Sequence, residues 1–222
     1  MADGIRLSLI DDSNRHTHSH LRADDVCYYL FEYTSHRDFS FSATNRLIIN
    51  LKKKPSRSNQ NEMWYKRKAI EQCAQTLRTT LNPRWLKAAT LVPIPGSKTA
   101  GDPDFDDRMT QVCRGIANPA PDVREIVTQR ASTRSSHEAG DDARITVPAL
   151  LNLYDVNEAL CAPTPEAIAI VDDVLTAGTH FRAMHTKLAA RFPNVPILGL
   201  FIARRVFAPG DELPEFDDLP PL

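Results

Sequence analysis

Two adjacent carboxylates and a Thr/Gly turn lie close together in residues 168–181, which read IAIVDDVLTAGTHF. Asp172 and Asp173 offer oxygen acceptors that suit the vicinal hydroxyls of a sugar. The turn at residues 176–180, called the anion loop below, offers backbone amides and the conformational freedom of Gly178. Because like charges repel, an anion in the loop must stand apart from the acids. A ribose carrying a 5′-phosphate meets both demands.

The apolar pattern on either side predicts the elements that position these residues. Residues 168–171 are continuously apolar and rich in β-branched side chains, which is typical of a strand buried on both faces of a parallel sheet. Phe181, Met184 and Leu188 recur at helical spacing and predict a helix directly after the loop. Open α/β sheets bind ligands at the carboxyl ends of their strands, and a helix N-terminus favours an anion.

A second loop with related chemistry precedes this run. The apolar residues 88–94 predict a strand, which ends at Pro95, Gly96, Ser97 and Lys98. Small residues, backbone amides and one cation suit another anion. An ordinary Pro/Gly loop is the alternative interpretation.

The run IVDDVLTAGTH resembles the phosphoribosyl-pyrophosphate signature of the type I phosphoribosyltransferases, and PIPGSK resembles their pyrophosphate loop. The resemblance implies that Asp172 and Asp173 bind the 2′ and 3′ hydroxyls of the ribose. It also implies that the anion loop wraps the 5′-phosphate, although Ala177 and His180 stand where hydroxyl residues are common. The ligand-binding residues implied in this way are Asp172, Asp173, Thr176, Ala177, Gly178, Thr179, His180, Gly96, Ser97 and Lys98.

Residues 129–144 form a long polar segment without periodicity, reading QRASTRSSHEAGDDAR. A mobile flap occupies this place in type I enzymes, and the segment is similar to that of their competence-associated (ComF-type) branch. The resemblance implies that Arg134 and His137 reach bound pyrophosphate when the flap closes. A solvated polar loop is the alternative.

The chemistry implied by the resemblance is displacement at C1 of phosphoribosyl pyrophosphate, with Mg²⁺ as cofactor. Asp172 and Asp173 would contact the metal through water, and hard oxygen ligands with retained waters need no dense protein cage. The residues expected to carry catalysis are Asp172, Asp173, Lys98, Arg134 and His137. An acid at the mouth of a strand is expected to serve the ligand more than the core, so Asp173→Ala is expected to abolish binding with little loss of folding.

These features predict an α/β protein with a three-layer phosphoribosyltransferase-like fold, a mainly parallel sheet and an N-terminal β/α appendage. Phe105, Met109, Val112 and Ile116 share one face of a predicted helix, and the acids at its start are interpreted as favourably placed at a helix N-terminus. Residues 123–127 are predicted to form the next strand.

The N-terminal third is predicted to contain strands at residues 26–33 and 47–51 and a helix at residues 62–81. Residues 1–85 are assigned to an appendage or hood with its helix, residues 86–207 to the core, and residues 208–222 to an acidic, proline-rich tail. All are expected to form one folded unit.

Charge and composition limit the classes of partner. The 222 residues have a formal net charge of −1, so the overall field does not favour nucleic acid. The segment from Arg46 to Lys68, however, holds eight basic residues against Glu62 alone. It is interpreted as a solvated loop and helix start or, alternatively, as a nucleic-acid surface on which Trp64 and Tyr65 stack.

The remaining patterns argue against metal modules and export. The four cysteines are scattered, which is typical of reduced cytosolic thiols and argues against the N-terminal zinc module that many competence-type relatives carry. His16, His18 and His20 alternate but have no acidic or cysteine partner at metal spacing. No apolar run of membrane length is present. We therefore expect a cytoplasmic location and no membrane partner.

Three functional hypotheses remain at this point. The first is a phosphoribosyltransferase that uses phosphoribosyl pyrophosphate or a nucleoside monophosphate, for which the resemblance implies a homodimer. The second is a non-catalytic protein of the same fold that senses such a ligand and regulates or associates with nucleic acid. A metal-dependent carboxylate enzyme is disfavoured, because the acids lead into an anion loop rather than further metal ligands.

Overall fold

The computed structural model describes residues 4–133 and 145–211. The strands are β1 (Ser8–Leu9), β2 (Cys27–Thr34), β3 (Ala89–Pro93), β4 (Val127–Gln129), β5 (Tyr154–Val156), β6 (Ala167–Leu175) and β7 (Ile197–Val206). The α-helices are α1 (Ala43–Leu51), α2 (Gln60–Thr80), α3 (Pro83–Ala88), α4 (Arg108–Gly115), α5 (Val147–Leu153) and α6 (Thr179–Arg191). Short 3₁₀ turns lie at Arg15–Thr17, Pro55–Arg57 and Glu158–Leu160.

Within the described residues, five strands form one mixed sheet in the order β1-β2-β7-β6-β3. Strands β2, β7, β6 and β3 are parallel, and only the short edge strand β1 runs antiparallel to its neighbour. Strands β4 and β5 form a separate antiparallel pair. The predicted α/β class with a mainly parallel sheet is therefore confirmed.

Alternating side chains of β6 build two buried clusters, one on each face of the sheet. Ile168 and Ile170 pack in the cluster that contains the buried face of α6. Ala169 and Val171 pack in the other, with residues of α1, α2 and α4. Helices thus cover both faces of the sheet, as a three-layer arrangement requires.

The chain order reverses between β3 and β6. On the outer side of β3, Leu91 pairs with Val123 in a parallel bridge, whereas β6 is followed by β7 on its other side. The predicted strand at residues 123–127 is thus only partly right, because the charged Arg124 and Glu125 interrupt the apolar run and β4 begins at Val127. The reversal opens a crevice at the carboxyl ends of β3 and β6, where open α/β sheets bind ligands.

The predicted strand at residues 47–51 is wrong, because these residues belong to helix α1. Ser42 caps the helix by accepting a hydrogen bond from the backbone N–H of Asn45 at 3.0 Å. Leu47 and Leu51 are buried four residues apart on the helix face that packs against α2. A short apolar run does not distinguish a buried helix from a strand.

The N-terminal third shares the sheet and the core with the rest of the chain. Strand β2, which lies close to the prediction, pairs with β7 along its length, and helix α2 confirms the helix predicted at residues 62–81. The boundary proposed at residue 85 therefore separates strands that belong to one sheet. Of the predicted acidic tail, residues 208–211 are described. No helix among the described residues is long and apolar enough to cross a membrane.

Replacing Phe181 by alanine is expected to destabilise the protein by about 3–5 kcal/mol, because this large side chain is 1% exposed and packs edge-on against Phe201. The matched variant Phe41→Ala removes a ring that is 50% exposed, and a loss below about 1 kcal/mol is expected. Urea unfolding measures both. Similar losses in the two variants would contradict the assigned core.

Candidate functional site

A cleft of about 1080 Å³ opens at the carboxyl edge of the sheet and brings the two predicted loops together. The predicted residues that line it are Gly96, Ser97, Lys98, Asp172, Asp173, Thr176, Ala177, Gly178, Thr179 and His180. Arg134 and His137 lie outside the described residues. Side chains from the ends of β2 and β7, including Tyr33 and Arg205, extend the lining beyond the predicted set.

Gly178 turns the chain from β6 into α6. It occupies the N-cap position with a left-handed φ of 88°, and no side chain caps the helix there. A Cβ at this position would lie 3.2 Å from the side chain of Leu21, so glycine is also favoured by space. The first amides of α6 have no acceptor within the helix, and together with the helix dipole they suit an anion.

The N-terminal segment supports the anion loop from behind. The ring of His18 is fully buried and its Nδ1–H donates to the carbonyl oxygen of Thr176. The backbone N–H of His20 donates to the carbonyl oxygen of Ala177 at 2.9 Å. The loop's backbone is thus fixed by residues that lie far away in the sequence.

Asp173 is held in a buried ion-pair network. Its Oδ1 lies 3.0 Å from Lys52 Nζ, while its Oδ2 accepts hydrogen bonds from Arg108 Nε and Nη2 at 3.0 and 2.6 Å. Burial tends to raise the pKa of this carboxyl, but Lys52 and Arg108 outweigh it and hold the pKa well below its ordinary range. Asp173 is therefore ionised at neutral pH, with both oxygens already bonded to cations.

The ion-pair network continues away from the sheet through Asp106. Its Oδ2 accepts hydrogen bonds from Arg108 Nη1 at 2.6 Å and from Lys66 Nζ at 2.7 Å. Lys66, which is 3% exposed, also donates to the carbonyl oxygens of Leu51 and Lys53. Interpreting the acids at the start of α4 only as favourably placed at a helix N-terminus is thus incomplete, because Asp106 joins two cations, Arg108 and Lys66.

Asp172 faces the cleft in a different environment. Its Oδ1 accepts the backbone N–H of Asp173 at 2.7 Å, and the residue lines the cleft. Burial and the neighbouring Asp173 raise the pKa of Asp172 to about 7. Two adjacent acids thus differ in role: Asp173 organises cations, whereas Asp172 remains available to a ligand.

His180 lies in the first turn of α6, and its Nδ1 is 2.8 Å from the hydroxyl oxygen of the buried Tyr154. Burial lowers the pKa of His180 to about 4, so the ring is neutral at pH 7. Its contribution to an anion site would therefore be positional rather than a full positive charge.

The second loop is also held by side chains around the cleft. A Cβ on Gly96 would lie 3.0 Å from the carbonyl oxygen of Asp106, so the two backbones approach closely. The carbonyl oxygen of Ser97 accepts hydrogen bonds from Gln129 Nε2 at 2.9 Å and from the backbone N–H of Thr133 at 2.7 Å. Lys98 lines the cleft beside this anchored turn.

No protein-family model matches this chain, and no curated protein is significantly similar to it. Functional inference therefore depends on the geometry of the cleft and on the motif itself.

Sequence reasoning missed three residues that shape the site, namely Lys52, Arg108 and His18. Lys52 stood within the basic segment and Arg108 at the start of a predicted helix, but no local pattern paired either with Asp173. His18 stood out in an alternating histidine run, yet its partner Thr176 is 158 residues away. Only tertiary structure reveals these pairings.

Asp173→Asn is expected to destabilise the fold by about 3 kcal/mol or more, because it leaves Lys52 and Arg108 without their shared counter-charge. This reverses the expectation that Asp173 can be replaced with little loss of folding. The isosteric control Asp172→Asn keeps both ion pairs and is expected to unfold no more easily at pH 7. Urea unfolding compares the two, and an unchanged midpoint for Asp173→Asn would contradict this role.

The free energy of unfolding is expected to depend on pH through the protonation of Asp172. Its folded-state pKa of about 7 exceeds the ordinary 3.8, so between these pH values the folded protein keeps a proton that the unfolded chain releases. Its contribution is complete below about pH 4 and declines toward pH 7, by at most roughly 1.4 kcal/mol per pH unit. Asp172→Asn should flatten this decline in urea titrations, whereas parallel curves for variant and parent would contradict the assignment.

Proposed function

We propose that this chain is a phosphoribosyltransferase-like protein that binds phosphoribosyl pyrophosphate with Mg²⁺ and transfers the phosphoribosyl group to or from a base. The observation that carries this proposal is the meeting of the anion loop and the Lys98 loop in one cleft. They follow adjacent parallel strands, β3 and β6, at the point where the strand order reverses. A ligand with anionic groups at both ends and hydroxyls between them fits such a cleft.

The parts of the cleft have complementary chemistry. Backbone amides at the start of α6 would receive the 5′-phosphate, and Lys98 with the amides of its loop would receive the pyrophosphate. Asp172, which opens onto the cleft, would accept hydrogen bonds from the ribose hydroxyls. Asp173 would act mainly by holding Lys52 and Arg108 in place, since its own oxygens are already used.

The different environments of Asp172 and Asp173 also indicate which of them would lie near a bound Mg²⁺ ion. Direct coordination by Asp173 would require displacement of two cations, whereas the hydrogen bond that the structure describes at Asp172 comes from the backbone N–H of Asp173. A metal contact through water at Asp172 therefore fits these residues better than a contact at Asp173. When bound, the ion would neutralise charge on the pyrophosphate.

In the proposed reaction, a nitrogen of the base forms a bond to C1 of the ribose while the bond from C1 to the pyrophosphate oxygen breaks. The electron pair of that bond leaves with the pyrophosphate, the sugar passes through an oxocarbenium-like centre, and a proton carried by the attacking nitrogen passes to solvent or to the pyrophosphate. The protein supplies position and charge stabilisation, and no side chain needs to form a covalent bond. The surrounding cleft would exclude water from the reacting carbon.

A second candidate is a sensor of the same ligand that also associates with nucleic acid. Trp64 and Tyr65 are about half exposed and contact each other edge-on, with Lys68 and Lys53 lying over their rings. Exposed aromatics beside cations suit stacking on single-stranded bases. Loss of oligonucleotide binding in Trp64→Ala, with phosphoribosyl pyrophosphate binding retained, would support this candidate.

Titration with phosphoribosyl pyrophosphate and Mg²⁺ tests the proposed function, with calorimetry for binding and a pyrophosphate-release assay over a panel of bases for turnover. Lys98→Ala should weaken binding by roughly tenfold, the effect of removing one charged contact. Lys87→Ala, which removes the same charge from exposed helix α3 outside the cleft, should bind like the parent.

The outcomes separate the candidates. Release of pyrophosphate with one base identifies the enzyme and its acceptor. Binding without release from any base favours the sensor, and no binding to the parent protein refutes both.

A further inference from the structure

The alternating histidines at residues 16–20 do not form a common polar surface. His16 is exposed within a 3₁₀ turn, whereas the ring of His18 is completely buried. The contact of His18 with the carbonyl oxygen of Thr176 ties this segment to the anion loop. A histidine at this place thus has a partner in the loop rather than in a metal site.

Further contacts fix the same segment to the start of α6. Leu21 packs in the same buried cluster as Phe181, and its side chain lies next to Gly178. Arg182 Nε donates to the carbonyl oxygen of His20 at 3.1 Å, and its guanidinium forms a buried ion pair with Asp25. The segment is therefore rigidly attached to both the loop and the helix that follows it.

These contacts determine which way the loop amides point. In a trans peptide the C=O and N–H groups are antiparallel. The carbonyl groups of Thr176 and Ala177 both point toward the N-terminal segment, because they accept hydrogen bonds from His18 and His20. The amides of Ala177 and Gly178, which share those peptide planes, must point the opposite way.

The other ring nitrogen of His18 gives a second, independent observation. Because Nδ1 carries the proton donated to Thr176, Nε2 is an acceptor, and it is buried without a hydrogen-bond partner among residues 4–133 and 145–211. An unpartnered buried nitrogen does not favour folding, whereas the bond from Nδ1 to Thr176 does. What a histidine contributes at this position is therefore its Nδ1–H, which holds the carbonyl group of the loop.

We propose that His18 is a positioning residue for anion binding, holding the Thr176 peptide so that the Ala177 amide is presented to a phosphate group. This inference rests on the proposed function only in taking the anion loop as a phosphate site. The ring acts as a neutral donor: burial lowers the pKa of His18 to about 4, and the nearby Arg204, Arg205 and His16 also disfavour its protonation. The effect is thus one of geometry rather than of charge.

Two substitutions separate positioning from packing. In His18→Asn, the side-chain nitrogen on Cγ can occupy the place of Nδ1 and keep the hydrogen bond to Thr176, whereas His18→Leu keeps bulk and loses the donor. Both remove part of the buried ring and should lower the unfolding midpoint. His16→Leu, at the exposed neighbour, serves as the control.

Inorganic phosphate and ribose 5-phosphate are the probes, and the amide signals of Ala177 and Gly178 in ¹⁵N NMR spectra are the readout. His18→Leu is expected to weaken phosphate binding by roughly tenfold, while His18→Asn and His16→Leu stay within about threefold of the parent. In the parent, the Nδ1–H signal of His18 should also shift when phosphate is added, a measurement that needs no variant.

Equal affinity in His18→Leu and the parent would overturn the inference, as would phosphate binding that leaves the Ala177 and Gly178 amides unshifted. Failure of the proposed function is seen separately. A parent that binds phosphate through these amides but neither binds nor turns over phosphoribosyl pyrophosphate would reject the transferase while supporting the role of His18.

Discussion

The cleft depends on the charge balance around Asp173. This carboxylate neutralises Lys52 and Arg108, and Asp106 then links Arg108 to the buried Lys66. The cations come from the end of α1, the start of α4 and the first half of α2, so the ion-pair network ties three helices to the end of strand β6. Without the acid, partly buried positive charges would repel one another where the helices converge.

The same balance explains how two adjacent acids could serve the proposed anionic ligand. Two full negative charges at the mouth of β6 would oppose the entry of phosphates. Lys52 and Arg108 cancel the charge of Asp173, and the raised pKa of Asp172 leaves it only partly ionised near neutral pH. The floor of the cleft is therefore less negative than its sequence indicates, while an acceptor for hydroxyl groups is retained.

Sequence reasoning succeeded where the determining residues are contiguous. The apolar run, the paired acids, Gly178 and the following helix could be predicted because strand, turn and helix signals follow one another in a single stretch. Residues 47–51 were misassigned because a short apolar run fits both a strand and a buried helix. The partners of Asp173 and Thr176 could not be predicted, because hydrogen bonds between distant segments leave no periodic trace in a single sequence.

The departures of the anion loop from the usual signature are consistent with how its conformation is fixed. A hydroxyl at position 177 or 180 would add one donor, but the main donors of such a loop are its backbone amides. Their direction is determined from outside the loop, by His18, by the backbone of His20 and by the left-handed Gly178. Ala177 can therefore present its amide to an anion as well as threonine would. The side chain of His180 is instead hydrogen-bonded to the hydroxyl group of Tyr154. The identity of the supporting N-terminal segment matters more to this loop than side chains at those two positions.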